Sequence, residues 1–206
     1  MDVLPLFSTP VGIEQLDVDC GVILDYIKDY EYLSYPRQNG FYTKDQSVLD
    51  RSEFSNLKKQ IDEVVLLYLY DTLGFDRNYE FYQTNSWVNL HKEGDFSQHH
   101  IHANALYSYI FYVSAGIEQG RLLVSNSGMK NCNYGSSTIR VPIKEYNLLN
   151  SSSWQFDPKD GMLVIFPAHL DHFTEVNTSN IDRYSIAGNY FVRGEFTEPT
   201  SVLTLT

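Results

Sequence analysis

The chain has 206 residues, of which 43% are hydrophobic and 20% are charged, a balance typical of a folded globular protein that can bury a core without disulfides. Fifteen basic and 26 acidic side chains give a net charge of −11, which repels phosphate backbones and anionic membrane surfaces. The composition therefore argues against a nucleic-acid-binding or membrane-bound protein. Two cysteines without C-x-x-C spacing favour a reduced, cytoplasmic location.

Two helices are predicted in the N-terminal part of the chain. The first begins near Asp19, and its apolar face consists of Ile23, Ile27 and Tyr30. The second begins at Asp50, which with Glu53 forms a capping box, and ends before Gly74. Its apolar stripe consists of Phe54, Leu57, Ile61, Val64 and Tyr68. Residues 33–49, between the two helices, are predicted to be a loop.

From Glu80 onwards the apolar pattern has a period of two, which is typical of strands. The predicted strands are 81–91, 99–114, 120–126, 137–142, 161–167 and 183–193. Two helices followed by many short strands predict one α+β, mainly β domain, whose body is a jelly roll or a related sandwich. Its expected parts are an extended strand and supporting helices in 1–79, a jelly-roll core in 80–195 and a tail in 196–206.

All six histidines lie between residues 91 and 172, and three of them are candidate metal ligands. In an extended segment alternate side chains share a face, so His100 and His102 point the same way and form half of a metal site. His172 follows a strand that Pro167 ends, at the kind of position where a sandwich exposes ligands. The three histidines predict a mononuclear metal site.

The other three histidines are interpreted differently. By the same alternation, His99 points away from His100. His169 is offset by three residues from His172, so it also faces the opposite way. His91 is interpreted as an ordinary surface residue.

A second feature follows eleven residues after His172, where Arg183 and Ser185 share one face of the next strand. A guanidinium group binds a carboxylate through two parallel hydrogen bonds, and a neighbouring hydroxyl adds another. The pair therefore predicts a carboxylate-binding site beside the metal.

The sequence also resembles a known family, the 2-oxoglutarate/Fe(II) oxygenases common in bacteria and their phages, which are distant relatives of the prolyl hydroxylases. The matching runs cover nearly the whole chain and include Trp87–Asn89, Gly94–Asp95, His100–Asn104, Phe111–Val113, Gly161–Pro167, Leu170, His172, Arg183–Ser185 and Asn189.

The resemblance implies a double-stranded β-helix of the jelly-roll or cupin-like type, with Fe(II), 2-oxoglutarate as cosubstrate and O₂ as oxidant. By position it assigns His100, His102 and His172 to the metal, Arg183 and Ser185 to the distal carboxylate of 2-oxoglutarate, and Tyr112 and Asn104 to further cosubstrate contacts. In the wider superfamily the second metal ligand is usually an Asp, whereas this chain has His102. The implied reaction is hydroxylation of a peptide or amino-acid side chain or of a small molecule.

Two alternatives remain open at this point. An H-x-H pair with a third histidine also holds Zn²⁺ in carbonic anhydrases, which would make the chain a zinc hydro-lyase or hydrolase. The second alternative is a non-catalytic cupin-like module with a binding or structural role, for example in a virion. The expected setting is a bacterial or phage-infected host cytosol, without nucleic-acid or membrane partners, and a homodimer is compatible with the sequence. The loops 33–49 and 127–136 are the predicted elements of substrate recognition.

Overall fold

A computed structural model describes residues 1–6, 8–36, 39–125 and 142–206 of the chain. The loop predicted at 127–136, and the strand predicted at 137–142 apart from Pro142, lie outside the described residues. Among the described residues, no helix is long and apolar enough to cross a membrane.

The first helix, α1 (Cys20–Ile27), begins where the sequence predicts. The Asp19 side chain accepts hydrogen bonds from the backbone N–H groups of Gly21, at 3.0 Å, and Val22, at 3.2 Å. These bonds satisfy donors that have no partner within the helix, so Asp19 is its N-cap.

The second helix, α2 (Ser55–Leu67), begins later than predicted. Asp50 and Glu53 lie in two separate 3₁₀ turns, Val48–Asp50 and Ser52–Phe54, and no side chain caps α2. The predicted capping box is therefore wrong, because the chain bends between the two turns instead of continuing as one helix. Beyond α2 the chain continues as a π-helical turn, Tyr68–Thr72.

The remaining elements are antiparallel strands in two sheets. In chain order they are β1 (Gly12–Gln15), β2 (Tyr32–Ser34), β3 (Phe41–Thr43), β4 (Glu80–His91), β5 (Tyr107–Ser114), β6 (Leu122–Ser125), β7 (Ser153–Phe156), β8 (Met162–Pro167), β9 (Asp171–Thr174), β10 (Arg183–Glu198) and β11 (Ser201–Leu205). Among the described residues the large sheet has the order β1-β8-β5-β10-β4-β3-β2, with β11 paired to β10, and the small sheet has the order β7-β6-β9. The chain is a double-stranded β-helix with two helices packed on it, as predicted.

Three segments differ from the sequence-based prediction. The strand expected at 99–114 begins only at Tyr107, because residues 103–106 form a turn. The expected loop 33–49 contains the hairpin β2–β3, and the expected tail 196–206 forms the end of β10 and all of β11. The pairs β2–β3 and β10–β11 are local hairpins that the sequence-based prediction did not include.

The core lies on both faces of the large sheet, and strand β5 shows the division. Its side chains Tyr109, Phe111 and Val113 pack with α1 and α2, whereas Ile110 and Tyr112 pack with the small sheet. The alternation follows from the two-residue period of a strand, which sends successive side chains to opposite faces. The space between the two sheets therefore receives one half of the residues of each central strand.

Gly188, in the middle of β10, lies in close contact with a core side chain. A Cβ atom at this position would lie 2.4 Å from the hydroxyl oxygen of Tyr109 and 2.6 Å from its ring carbons. The Tyr109 ring is fully buried and its hydroxyl donates to Gln83 Oε1 at 2.9 Å, so the ring has little room to move.

We expect Gly188→Ala to lower the free energy of unfolding by about 1–3 kcal/mol, the usual cost of overpacking a core. Urea denaturation of the variant and the parent measures this difference. In a Tyr109→Leu background, where the ring is absent, the same substitution should cost clearly less. Equal costs in the two backgrounds would contradict the explanation.

Candidate metal and cosubstrate site

Three of the histidines come together because residues 100–102 run antiparallel to residues 168–172. His100 and His172 exchange two backbone hydrogen bonds of 3.0 Å, and the His102 N–H donates to Ala168 O at 2.9 Å. As a result, potential ligand atoms of His100, His102 and His172 all lie within 4.8 Å of one another. The three-histidine group that the sequence predicts is present in the fold.

In each of these three imidazoles, Nδ1 lies against an oxygen acceptor. The acceptors are Gln98 O for His100 at 2.7 Å, Leu170 O for His172 at 2.9 Å, and Asn189 Oδ1 for His102 at 2.6 Å. An oxygen acceptor requires a proton on Nδ1, which leaves the lone pair on Nε2 free for a metal. Metal-binding histidines are characteristically held in this way, so the residues fit a divalent metal ion.

The surroundings of His102 and His172 keep these two imidazoles neutral. Burial lowers the pKa of His102 to about 4, and it lowers the pKa of His172 well below the usual value, with His100 acting in the same direction on both. A neutral imidazole is the form that binds a metal. The site is therefore ready to bind a metal at neutral pH without first losing protons from these two rings.

The imidazoles face a cavity of about 40 Å³ between the two sheets. The strand register sets its wall: on the face that looks into the cavity, Ser185 of β10 lies between Asn89 of β4 and Tyr112 of β5, and Arg183 pairs with His91. None of the described residues that line the cavity is acidic. The cavity is thus suited to anions, although the chain as a whole has a net charge of −11.

Arg183 is the cation of this cavity, and it is 2% exposed. Its Nη1 donates to Gln119 O at 3.0 Å and to Gly120 O at 2.8 Å, and its Nη2 donates to Thr174 Oγ1 at 3.1 Å. Its Nε is buried without a partner, and no described carboxylate lies within 4.0 Å of the guanidinium group. A buried cation without a counter-ion is costly, so this position is suited to an anionic ligand.

Two hydroxyl groups lie beside Arg183. The Tyr112 hydroxyl is buried without a hydrogen-bond partner, and burial raises its pKa to about 12, against an opposing effect of Arg183. Tyr112 is therefore a neutral donor at neutral pH. Ser185 is 5% exposed and lines the same cavity. Three of the four residues predicted to contact the cosubstrate thus share one pocket.

The fourth predicted residue, Asn104, does not reach this pocket. It is exposed, it does not line the cavity, and its φ of 57° places it in a left-handed turn between His102 and β5. The prediction placed Asn104 in a continuous strand after His102, whereas the turn directs it to the surface.

Gly120 helps to hold Arg183 in place. Its φ is +97°, a conformation that favours glycine, and a Cβ atom there would lie 2.3 Å from Glu175 O and 3.0 Å from Arg183 Nη1. The tight turn brings two backbone carbonyl groups onto the guanidinium group. The sequence contains no motif that would reveal this role.

Sequence reasoning also missed residues at the cavity wall. Asn89 Oδ1 accepts hydrogen bonds from the Tyr35 hydroxyl at 2.5 Å and from Trp87 Nε1 at 2.9 Å. Tyr35 belongs to the 33–49 segment that was predicted to recognise substrate, and it lines the cavity. Asn89 lies within the run that carries the family resemblance, which was a signal for it.

His91 was interpreted as a surface residue, and that interpretation is wrong. It is 2% exposed, its Nε2 lies 3.0 Å from Ser97 Oγ, and it lines the cavity. His91 lies two residues after Asn89 on β4, and this spacing could have indicated that the two side chains share a face. His99 and His169 are exposed and lie outside the three-histidine group, as expected.

The lowered pKa values of the buried histidines predict how the stability of the metal-free protein depends on pH. Burial lowers the pKa of His91, His102 and His172, whereas each has a pKa of about 6.5 in the unfolded chain. Below about pH 6.5 the unfolded chain therefore binds more protons than the folded chain. Stability should be fully present above about pH 7 and should fall towards pH 5, by up to about 1.4 kcal/mol per pH unit for each histidine.

Urea denaturation between pH 7.5 and pH 5 measures this loss in the window above the ordinary carboxylate range. A His169→Gln variant, which changes an exposed ring, should keep the same profile. A constant free energy of unfolding over this range would contradict the burial of neutral histidines.

The comparisons with known proteins identify a family whose match spans this site. The model of the family described as "Putative 2OG-Fe(II) oxygenase" matches residues 85–189, which contain all three histidines, Tyr112, Arg183 and Ser185. The matched segment is half of the chain. A search of the curated proteins finds no significant match.

Solved structures share the fold at low sequence identity. A Pseudomonas putida prolyl-4-hydroxylase is 14% identical, with a TM-score of 0.57, over 92% of this chain and 96% of that chain. HygX from Streptomyces hygroscopicus, solved with nickel and 2-oxoglutarate bound, is 12% identical, with a TM-score of 0.58, over 88% and 82%. The α-ketoglutarate-dependent epimerase SnoN of nogalamycin biosynthesis is 13% identical, with a TM-score of 0.62, over 88% and 76%.

The geometry of the histidines, the buried cation and the extent of the family match lead to one assignment. The chain belongs to the 2OG-Fe(II) oxygenase family, the enzymes that use Fe(II) and 2-oxoglutarate.

Proposed function

We propose that this protein is a 2-oxoglutarate- and Fe(II)-dependent dioxygenase that hydroxylates a peptide or amino-acid side chain or a small molecule. The observation that carries the proposal is a buried guanidinium group without a counter-ion, in the same cavity as three imidazoles held with Nε2 free. The first feature needs an anion and the second needs a metal. A small dicarboxylate that chelates a metal meets both needs at once.

In this proposal, Nε2 of His100, His102 and His172 bind the iron. Arg183 presents its unpartnered Nε to the distal carboxylate of 2-oxoglutarate, and the Tyr112 and Ser185 hydroxyl groups donate further hydrogen bonds to it. When bound, Fe(II) and 2-oxoglutarate supply the reduction of O₂ that couples formation of succinate and CO₂ to hydroxylation.

Charge also favours this ligand. The three imidazoles are neutral ligands, and no described residue that lines the cavity is acidic, so the protein does not compensate the charge of a divalent ion. The two negative charges of 2-oxoglutarate balance that ion formally, and Arg183 adds a further positive charge near the distal end. The protein therefore orients a dianion by charge as well as by hydrogen bonds.

The substrate would approach along the side of the cavity formed by Tyr35, Trp87 and Asn89. The Trp87 ring lies 5.6 Å from the His102 ring, so a group resting on this wall is close to the metal ligands. The wall is aromatic and neutral, which suits a peptide side chain or a neutral small molecule better than a polyanion. HygX has also been solved with hygromycin B, which illustrates a small-molecule ligand on this fold. A cytosolic location is part of the proposal, since the net charge of −11 disfavours membrane surfaces and nucleic acids.

Anaerobic titration tests the function. The metal-free protein is mixed with Fe(II) and then with 2-oxoglutarate under anaerobic conditions, and the visible charge-transfer absorption of the chelate is recorded. Admission of O₂ should then produce succinate. If neither the absorption nor succinate is observed, the proposal is wrong. Binding of Zn²⁺ without any affinity for 2-oxoglutarate would favour a zinc hydro-lyase or hydrolase instead, and absence of metal binding would favour a structural module.

Arg183→Ala tests the assignment of the carboxylate site. Loss of a buried, charged hydrogen-bonding group costs about 3 kcal/mol, so the dissociation constant of 2-oxoglutarate should rise about 100-fold. Metal affinity should change little, because Arg183 has no contact with the imidazoles among the described residues. Isothermal titration with each ligand separates the two effects.

Arg193→Ala is the matched control, since this arginine is partly exposed and lies over the Tyr82 ring. It should leave both dissociation constants unchanged. Circular dichroism establishes that each variant is folded. If Arg183→Ala abolishes metal binding and retains 2-oxoglutarate, the assignment of Arg183 is wrong.

A further inference from the structure

Nδ1 of His102 lies against the oxygen of a side-chain amide. Nδ1 of His100 and Nδ1 of His172 instead lie against backbone carbonyl oxygens. The amide belongs to Asn189 of β10, which is 8% exposed, and Asn189 Oδ1 lies 2.6 Å from His102 Nδ1. A side-chain amide can rotate to present either its oxygen or its NH₂ group. The state of His102 therefore depends on which of the two faces the ring.

Neighbouring side chains decide the orientation of the Asn189 amide. Ser108 of β5 donates to the same oxygen at 2.8 Å. On the other side, Asn189 Nδ2 donates to Asn85 Oδ1 of β4 at 3.0 Å, and that oxygen also accepts from the Thr84 hydroxyl at 3.1 Å. Rotation of the Asn189 amide would turn its oxygen towards another oxygen. The two neighbouring strands thus hold the Asn189 oxygen towards His102.

We propose that Asn189 is a positioning residue that selects the Nδ1–H tautomer of His102 and so makes Nε2 its metal-binding atom. The proposal rests on the metal site of the proposed function. It adds that the β5–β10–β4 network is built for an imidazole at position 102. The three-histidine ligand set is then a supported feature of this fold, distinct from the more common set of two histidines and a carboxylate.

A carboxylate at position 102 would meet an unfavourable partner. The side chain of an aspartate reaches about as far as Nδ1 of a histidine, so one carboxylate oxygen would lie near the Asn189 oxygen, where the ring nitrogen now lies at 2.6 Å. Two acceptors that face each other in a buried site repel. His102→Asp should therefore weaken metal binding, although it restores the ligand types of the wider superfamily.

The tautomer can be measured directly in the metal-free protein by long-range ¹H–¹⁵N correlation spectra of the histidine rings. The His102 signals are assigned by their absence from a His102→Gln variant. In the parent protein we expect His102 to carry its proton on Nδ1. In Asn189→Leu, which removes the acceptor and keeps a similar size, we expect a shift towards the Nε2–H tautomer. Asn189→Asp, which keeps an acceptor oxygen, should retain the Nδ1 proton.

Metal affinity gives the second readout, with Co²⁺ alone as the probe and its visible absorption as the signal. Loss of a hydrogen-bond partner behind a metal-binding histidine typically weakens affinity about 10- to 100-fold, and this is the expected effect of Asn189→Leu. Asn189→Asp should bind Co²⁺ as tightly as the parent or more tightly. Arg193→Ala is the control, because Arg193 lies on the same strand as Asn189 but contacts Tyr82 and Glu80; it should leave the affinity unchanged.

Three results would overturn the proposal: an Nε2–H tautomer of His102 in the parent protein, unchanged Co²⁺ affinity in Asn189→Leu, or tighter Co²⁺ binding in His102→Asp. If Asn189→Leu does not fold, the parent spectrum and the Asn189→Asp variant still decide. Neither the tautomer spectrum nor the Co²⁺ titration uses 2-oxoglutarate or O₂. The outcome of these two measurements is therefore separate from that of the oxygenase assay. A protein that shows the expected tautomer but binds no 2-oxoglutarate would retain this inference and lose the proposed function.

Discussion

The position of β10 between β4 and β5 is the constraint on which the site depends. Alternate residues of this strand face the space between the sheets, so Arg183, Ser185 and Asn189 share one wall of the site. Arg183 lies at one end of this wall with its Nε unpartnered, and Asn189 lies behind His102, a ligand of the proposed metal site. A shift of the β10 register by one residue would turn all of these side chains towards the helices. The same strand carries Gly188, whose lack of a side chain admits the Tyr109 ring on the opposite face. The packing of the core and the assembly of the site therefore both require the same register of β10.

Charge is distributed unevenly between the surface and the cavity. The chain has a net charge of −11, whereas no described residue lining the cavity is acidic and Arg183 lacks a counter-ion there. A buried cation of this kind lowers the stability of the empty protein, since its desolvation is only partly compensated by backbone carbonyl groups and the Thr174 hydroxyl. Arg183 lies where a carboxylate ligand can supply the missing counter-ion. Binding of the anion is then coupled to the stability of the folded state.

The ligand set has a consequence for the metal. Three neutral imidazoles leave the full charge of a divalent ion to be balanced by the ligands that join it, whereas two histidines and a carboxylate would balance part of it. The negative charge of the cosubstrate is therefore more important for charge balance here than in a site with two histidines and a carboxylate. The hydrogen bonds behind the imidazoles matter for the same reason, because neutral acceptors such as Leu170 O and Asn189 Oδ1 orient the rings without adding negative charge.

Local patterns in the sequence determined much of this protein. The start of the first helix was recognisable near Asp19, the two-residue period placed His100 with His102 and Arg183 with Ser185, and the family resemblance indicated the double-stranded β-helix. These features depend on residues close together in the chain or on motifs of fixed spacing. Only the tertiary structure decided that His91 is buried, that Asn104 turns to the surface and that Asp50 does not cap α2. It also decided that Gly120 brings carbonyl groups onto Arg183 and that Asn189 supports His102. The last two contacts, and the pairing of His91 with Arg183, join residues that strand pairing brings together from distant parts of the chain.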